Sequence, residues 1–390
     1  MKPINVVVVG GGYAGMYAAG RVARLRKQVN VTLVEPKTHF VQRIRLHQVA
    51  AGGQIKTFHY GTMLKQRGIT WLQGALTHSD FDQKQLQIET PNGNQTVTYD
   101  YLIYAIGSQV TTPATLSGKP DQQNPVFNLN SLASSQALHS HLAQKNQANV
   151  LIVGAGLAGI ELSSELATQQ RHCKVSLLDR NAAFSNFSPA AQQHFLNSFS
   201  KMGINLIQGE LTAFNQHQAT LADGSKHNFD TVVWCGGMEN PTQRWPVNDF
   251  LQLPNHPDVF VVGDAGVVKN ADGSAIRMGC VGAIPMGVYA GESVISLIQN
   301  QTLTPFEFAF PMRCISLGRH NGVIQFTRFN DEPKDSILKG RAAALVKELI
   351  CKMTFELLRL EYKTGWRCYQ WAKPSAEELE QIQTRLTETP

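Results

Sequence analysis

One arrangement limits what this chain can fold into: an apolar strand, a glycine turn, a helix and a second strand ending in an acid, and it occurs twice. The first copy runs Ile4–Val9, Gly10-Gly11-Gly12-Tyr13-Ala14-Gly15, a helix-like run to about Arg26, then Val29–Glu35. A strand this rich in valine suits a parallel sheet covered on both faces. Gly10 permits a tight turn, Gly12 lets backbone amides approach a pyrophosphate, and Gly15 lets the helix close on the strand. The phosphates would sit at the helix N-terminus, where free N–H groups and the dipole favour an anion. Glu35 lies twenty residues past Gly15, placed to accept hydrogen bonds from a ribose and to disfavour a 2′-phosphate.

The second copy reads Val150–Val153, Gly154-Ala155-Gly156-Leu157-Ala158-Gly159, a helix through Ala167, and Lys174–Asp179, with Asp179 twenty residues past Gly159. A lone glycine turn also suits other doubly wound proteins. Two copies, each with its acid at the same spacing, point to two dinucleotides brought face to face, as hydride transfer between them requires. The repeat continues: Phe229–Gly237 echoes Tyr101–Ser108, so Ala105, Gly107 and Gly236 stand at equivalent strand ends.

The 390 residues suffice for two or three domains. No apolar stretch of about 18 residues offers a spanning helix, and the N-terminal apolar run is a strand entering a turn, not a signal peptide. The six cysteines show no CxxC and no metal-like spacing, which predicts reduced thiols in the cytoplasm and no metal site. Of the net charge of +6, nine basic residues against four acids lie between Lys334 and Lys373. The rest is near neutral, which argues against nucleic acid as a partner.

After Glu35, Pro36 and Lys37 lead into Arg43, Arg45 and His47. These three either neutralise a reduced cofactor and steer a substrate, or are solvated helix charges. Strand-like segments at Thr70–Gln73, Gln85–Glu89 and Gln95–Tyr99 read as a small antiparallel excursion, and Thr111–Pro125 as a linker. Asp258–Ala265 is a buried strand delivering Gly263-Asp264 to the crevice at the sheet's C-terminal edge. A helix-like segment from Ile284-Pro285 to Glu292 follows, its N-terminus suited to stabilising negative charge. The fold class is therefore α/β: two Rossmann-like dinucleotide-binding domains, one inserted in the other, plus a small C-terminal α+β domain. The expected boundaries are 1–115 and 238–304 for the first domain, 116–237 for the second and 305–390 for the last.

Together these pieces resemble the two-dinucleotide-binding flavoproteins of the pyridine nucleotide-disulfide oxidoreductase superfamily, over Ile4 to Leu297. The nearer likeness is to type II NADH dehydrogenases and to the ferroptosis-suppressor and apoptosis-inducing-factor group, which Ser316–Val323 also resembles. The resemblance implies FAD at Gly10, Gly12, Gly15 and Glu35, with Asp264 on the ribityl chain. It implies NADH or NADPH at Gly154, Gly156, Gly159 and Asp179. Tyr13, Ala14, Pro36, Lys37, Arg43, Ala75, Ala105, Gly107, Gly263, Ile284, Pro285, Leu157, Ala158, Arg180 and Gly236 complete the expected cofactor-binding set. Asp179 favours NADH, while Arg180 beside it can bind a 2′-phosphate. Glu161 matches a glutamate these enzymes place near nicotinamide and flavin, to orient the carboxamide or relay a proton; as a plain helix acid it would be favoured by the dipole. Glu161 and Arg43 are the expected catalytic residues.

Two departures bear on the acceptor. Disulfide reductases of the superfamily carry a redox-active cysteine pair after the first acid, and none stands there. The Ala-Gln quinone motif of type II NADH dehydrogenases is replaced by Cys280-Val281. The implied function is an FAD-dependent NAD(P)H dehydrogenase passing electrons to a quinone-like acceptor. The alternatives are a reductase of a small iron–sulfur or rubredoxin-type protein, a sulfide:quinone oxidoreductase using Cys173, Cys280, Cys314 or Cys351, and an NADH-sensing interaction flavoprotein. Finally, Leu345, Val346, Leu349, Ile350, Met353, Leu357 and Leu360 form a helical apolar stripe, with Phe355, Tyr362, Trp366, Tyr369 and Trp371 nearby. Residues 341–371 thus suit a peripheral contact on the cytoplasmic face of a membrane, though such stripes more often pack on their own protein or in a homodimer.

Overall fold

The computed structural model describes residues 2–113, 126–239 and 243–380. The linker expected at Thr111–Pro125, and with it the boundary at 115/116, falls largely outside the described residues.

A six-stranded sheet carries the first repeat, in the order Gln252–Leu253, His256–Val261, Tyr101–Tyr104, Ile4–Val9, Val29–Val34, Thr70–Leu72. Its pairs are parallel apart from the short Gln252–Leu253 edge. Val6 to Val9 are buried, as a strand covered on both faces demands. One face takes the helix Tyr13–Val22, crossed by the helix Cys280–Ile298, which approaches so closely that a Cβ on Gly287 would collide with the Ala14 carbonyl. The other face is covered by the antiparallel sheet Ala75–Asp80, Gln85–Thr90, Gly93–Thr98, through Leu86 and Ile88.

A second parallel sheet, in the order Val126–Asn128, Thr231–Trp234, Ala148–Val153, Cys173–Asp179, Asn205–Gln208, carries the second repeat. The duplication extends to individual hydrogen bonds. Asn5 and Asn149 N–H each donate to the aspartate before the next strand, Asp100 and Asp230, at 2.7 Å.

Four expectations are corrected. Thr70–Leu72 is a parallel edge strand of the first sheet, and the antiparallel excursion begins instead at Ala75; residue pattern alone does not tell a strand its partner. The helix placed at Ile284 starts at Cys280, because Gly279 with φ +142° breaks the backbone just ahead of it. Ile284 and Pro285 are buried a turn inside, so they do not form its N-terminus. That same helix is long and apolar enough by length and composition to cross a membrane, contrary to the expectation, but two-thirds of its apolar window is buried inside the protein.

The fourth correction concerns the C-terminal helix, Arg341–Thr364, which lies across an antiparallel sheet of Met312–Ser316, Gly322–Thr327 and Pro333–Lys339. It packs inward through Ala343, Cys351, Phe355, Leu358 and Tyr362, not through the expected stripe. Leu345 and Leu349 are 73% and 57% exposed, and Met353, Leu360 and Trp366 are also outward. Leu345, Leu349, Met353 and Leu360 of the stripe therefore do not pack on their own core, while Val346, Ile350 and Leu357 are half-buried.

Candidate functional site

Each glycine turn leads into a helix capped by an extended glycine, Gly12 or Gly156, with no side chain satisfying the helix's first N–H groups. A Cβ added to either glycine meets no protein atom within 4 Å. One added to Gly15 or Gly159 would strike the carbonyl of Gly10 or Gly154. The turns are thus closed on the inside and open outside, where an anion would lie. Gly11, which the sequence left without a role, must be glycine because the Tyr60 ring lies against it; Tyr60 Oη donates to its carbonyl at 2.6 Å.

The two acids are held alike. Glu35 accepts from Gly11 N–H at 2.7 Å and Lys37 N–H at 3.0 Å. Asp179 accepts from Ala155 N–H at 2.6 Å and Asn181 N–H at 2.9 Å. Each carboxylate keeps lone pairs for a ribose diol beside its open turn. These residues fit dinucleotides. Pro36, Lys37, Ala158 and Arg180 are exposed, whereas the side chains of Tyr13, Ala14 and Ala105 are buried in protein. The Tyr13 ring meets Phe40 edge-on at 5.1 Å. Ala75 opens the strand that follows Trp71, whose Nε1 donates to the Glu35 carbonyl.

A second cluster gathers at the strand ends of the first sheet. Asp264 accepts from Ser108 Oγ at 2.6 Å and from Gly279 N–H at 2.8 Å, between Gly263 and Gly107, both at positive φ. Arg43 Nη1 donates to the Ser108 carbonyl at 2.6 Å. Desolvation near the Asp264 cluster lowers the Arg43 pKa and nearby Asp264 opposes the shift, so an otherwise exposed cation reaches the rim of this crevice.

Glu161 lies in neither cluster. It is buried where the second nucleotide helix, Leu157–Gln169, meets the C-terminal region. Its Oε1 takes Lys347 Nζ at 2.9 Å and Ser316 N–H at 3.0 Å, and its Oε2 faces His47 Nδ1 at 3.5 Å. Burial alone would raise Glu161, but Lys347, His47 and the Ser316 N–H outweigh it and hold the carboxyl below its usual range. Lys347 is raised in turn by Glu161 against burial, and also donates to the Cys314 carbonyl. One turn on, Glu165 pairs with Arg319 at 3.0 Å. Sequence reasoning missed Lys347, which enters it only as one of the nine basic residues between Lys334 and Lys373. The available signal was its place in the inward row Ala343, Lys347, Cys351, Phe355.

All six cysteines are free. Burial pushes the thiols of Cys280 and Cys314 up to about 11, so neither is a ready thiolate. Among the described residues no group of three or more His, Cys, Asp or Glu can hold a metal ion.

Comparison with known proteins agrees with this geometry. The family described as pyridine nucleotide-disulphide oxidoreductase matches residues 4–279. An NADH dehydrogenase-like protein of Mycobacterium tuberculosis is 27% identical over 356 residues, covering 82% of this chain and 87% of that one. A type II NADH:quinone oxidoreductase of Haemophilus influenzae is 22% identical, over 84% and 88%. Among solved structures, NDH2 from Plasmodium falciparum in complex with NADH superposes with a TM-score of 0.74 at 13% identity, covering 95% of this chain and all of that one.

Proposed function

We propose that this chain, which belongs to the pyridine nucleotide-disulphide oxidoreductase family, is an FAD-dependent NAD(P)H dehydrogenase that delivers electrons to a quinone or quinone-like acceptor. The observation that carries the reading is the pair of equivalent cradles, each an open glycine turn beside an acid locked by two backbone N–H groups. Relatives named as NADH:quinone oxidoreductases span most of the chain and support the acceptor class.

FAD, when bound, supplies the two-electron chemistry between nicotinamide and acceptor. Gly10, Gly12, Gly15 and Glu35 would hold its ADP half, flanked by Pro36, Lys37 and Ala75. Asp264, Gly263, Ala105, Gly107 and the helix carrying Ile284 and Pro285 would line the rest. Arg43, exposed but anchored to the Ser108 carbonyl, places a cation at this crevice, offsetting negative charge that develops there. Gly154, Gly156, Leu157, Ala158, Gly159, Asp179 and Gly236 would receive the nicotinamide nucleotide. Asp179 repels a 2′-phosphate and favours NADH, while exposed Arg180 beside it can pair with one and admit NADPH. Glu161, kept anionic by Lys347, orients the carboxamide of the nicotinamide.

The outward stripe of the C-terminal helix supports peripheral attachment to the cytoplasmic face of a membrane, where an apolar quinone resides. Lys352, Arg359 and Lys363 flank it, suiting anionic headgroups. The cysteine-based alternative is disfavoured by the raised thiols. The test is anaerobic: NADH should bleach the flavin absorbance of the purified protein and a short-chain quinone should restore it. A flavin that neither NADH nor NADPH bleaches would refute the reading.

A further inference from the structure

We propose that His47 is a positioning residue for the reduced nicotinamide nucleotide, its Nδ1–H holding Glu161 Oε2 in the orientation that receives the nicotinamide carboxamide. The inference rests on the proposed dehydrogenase reading and goes beyond it in assigning His47.

The two oxygens of Glu161 are not equivalent. Oε1 is taken by Lys347 and the Ser316 N–H, while among the described residues Oε2 faces only the His47 ring, at 3.5 Å. Oε2 is therefore the oxygen with capacity for a further N–H donor. A carboxylate cannot donate, so an attractive contact places the ring proton on Nδ1 and leaves Nε2 bare. His47 is 4% exposed, and its Nε2 has no hydrogen-bond partner among the described residues. A histidine serving the core alone would normally have both ring nitrogens met.

The groups facing the ring come from four elements: Glu161 from the nucleotide helix, Lys347 from the C-terminal helix, Arg319 from the turn after Ser316, and Arg45 from its own segment. Burial and the three cations outweigh the single carboxylate and keep the ring neutral. Neutrality matters for the role. A cationic ring would draw Oε2 into a closed ion pair, whereas a neutral one orients it and leaves a lone pair free.

His47 also stands one helical turn from Arg43, whose contact with Ser108 belongs to the Asp264 cluster. The short run Arg43–His47 thus ties the first crevice to the acid of the second nucleotide helix. A shift of the ring would alter where the nicotinamide stands relative to that crevice, and hydride transfer is sensitive to such misplacement.

Two measurements test this on the full chain. Nitrogen-15 NMR of histidine-labelled protein should show His47 neutral, with the proton on Nδ1 and Nε2 bare, from pH 8 down to about pH 5. A proton on Nε2, or titration near the ordinary histidine value, would overturn the proposal. In anaerobic rapid mixing of the flavin-containing enzyme with NADH, His47→Leu should lower the limiting bleaching rate at least about tenfold, with flavin content retained. His47→Gln, which keeps an N–H donor, should recover to within about threefold of wild type. Bleaching of His47→Leu at the wild-type rate, or of His47→Gln as slowly as His47→Leu, would also overturn it. Wild-type flavin that NADH never bleaches would instead refute the dehydrogenase reading, while the NMR result would still decide the tautomer.

Discussion

Lys347 Nζ lies 2.9 Å from Glu161 Oε1, joining the inward face of the C-terminal helix to the first turns of the second nucleotide helix. Both side chains are largely withdrawn from water, so removing one charge strands the other. Lys347→Met should destabilise the protein by about 3 kcal/mol in chemical denaturation. The double variant Lys347→Met with Glu161→Gln should recover much of that loss, because no buried charge is left unpaired. A double variant no better than the single one would show that the cost lies in packing.

The glycine turns allow folding to be separated from cofactor retention. A Cβ at Gly12 meets only open space, while one at Gly15 strikes the Gly10 carbonyl. Gly12→Ala should therefore fold with an unchanged melting temperature yet retain on the order of tenfold less FAD, because the added methyl occupies the anion cradle. Gly15→Ala should lower stability whether or not flavin is supplied. Gly156→Ala, the counterpart in the second unit, should keep its flavin and bind NADH weakly, as read by fluorescence titration.

Much of the first two units was legible because their function is local in sequence. Strand, turn, helix and acid follow one another within about 35 residues, and each imposes its own pattern on the chain. The Glu161 site was not legible in the same way, since His47, Glu161, Ser316 and Lys347 meet only through tertiary packing. The C-terminal helix shows the ambiguity most clearly. It has two apolar rows, and the row with the stronger leucine signal is the outward one, while a row interrupted by Lys347 and Glu361 faces the core. Periodicity identified the helix but not which face it buries.

His47 gives acid stability a definite sign. Burial, against the partial opposition of Glu161, pushes its folded pKa down to about 4 from an ordinary value near 6.5. The folded state therefore binds fewer protons than the unfolded chain between those values. The associated stability is fully present above about pH 6.5 and is lost as pH falls toward 4, by roughly 3 kcal/mol if His47 acted alone. His47→Gln should flatten the stability profile across that window, read from denaturation midpoints at several pH values. An unchanged slope would place the acid sensitivity elsewhere.

The outward stripe predicts a phenotype without a folding defect. Replacing Leu345, Leu349 and Met353 together by glutamine removes exposed apolar surface and leaves the inward row intact. The triple variant should keep its melting temperature but lose sedimentation with vesicles containing anionic lipid. If the parent protein ignores vesicles and sediments as a dimer that the variant abolishes, the stripe serves a second copy instead.

Arg21 anchors the other end of the same helix. Its Nε and Nη2 reach the two carboxylate oxygens of Glu361 at 2.8 and 2.6 Å, and Nη1 reaches Glu292 at 2.9 Å. Glu361 Oε1 also accepts from the backbone N–H groups of Cys368 and Tyr369, so this carboxylate folds the segment after Gly365 back onto the first nucleotide helix. There Tyr369 packs against Tyr17 and Trp371 Nε1 donates to the Glu307 carbonyl. With Arg21→Met, Glu361 keeps its backbone donors but loses its buried counter-charge, at a cost of about 3–5 kcal/mol. The carboxylate should then turn toward water and release the segment it holds. Trypsin should cut Arg21→Met at Arg367 well before the wild type, whose segment is held on both sides of that residue. Equal cleavage rates would mean that Tyr369, Trp371 and the pairing of Arg367 with Glu292 secure the segment and that the Arg21 ion pair only aligns it.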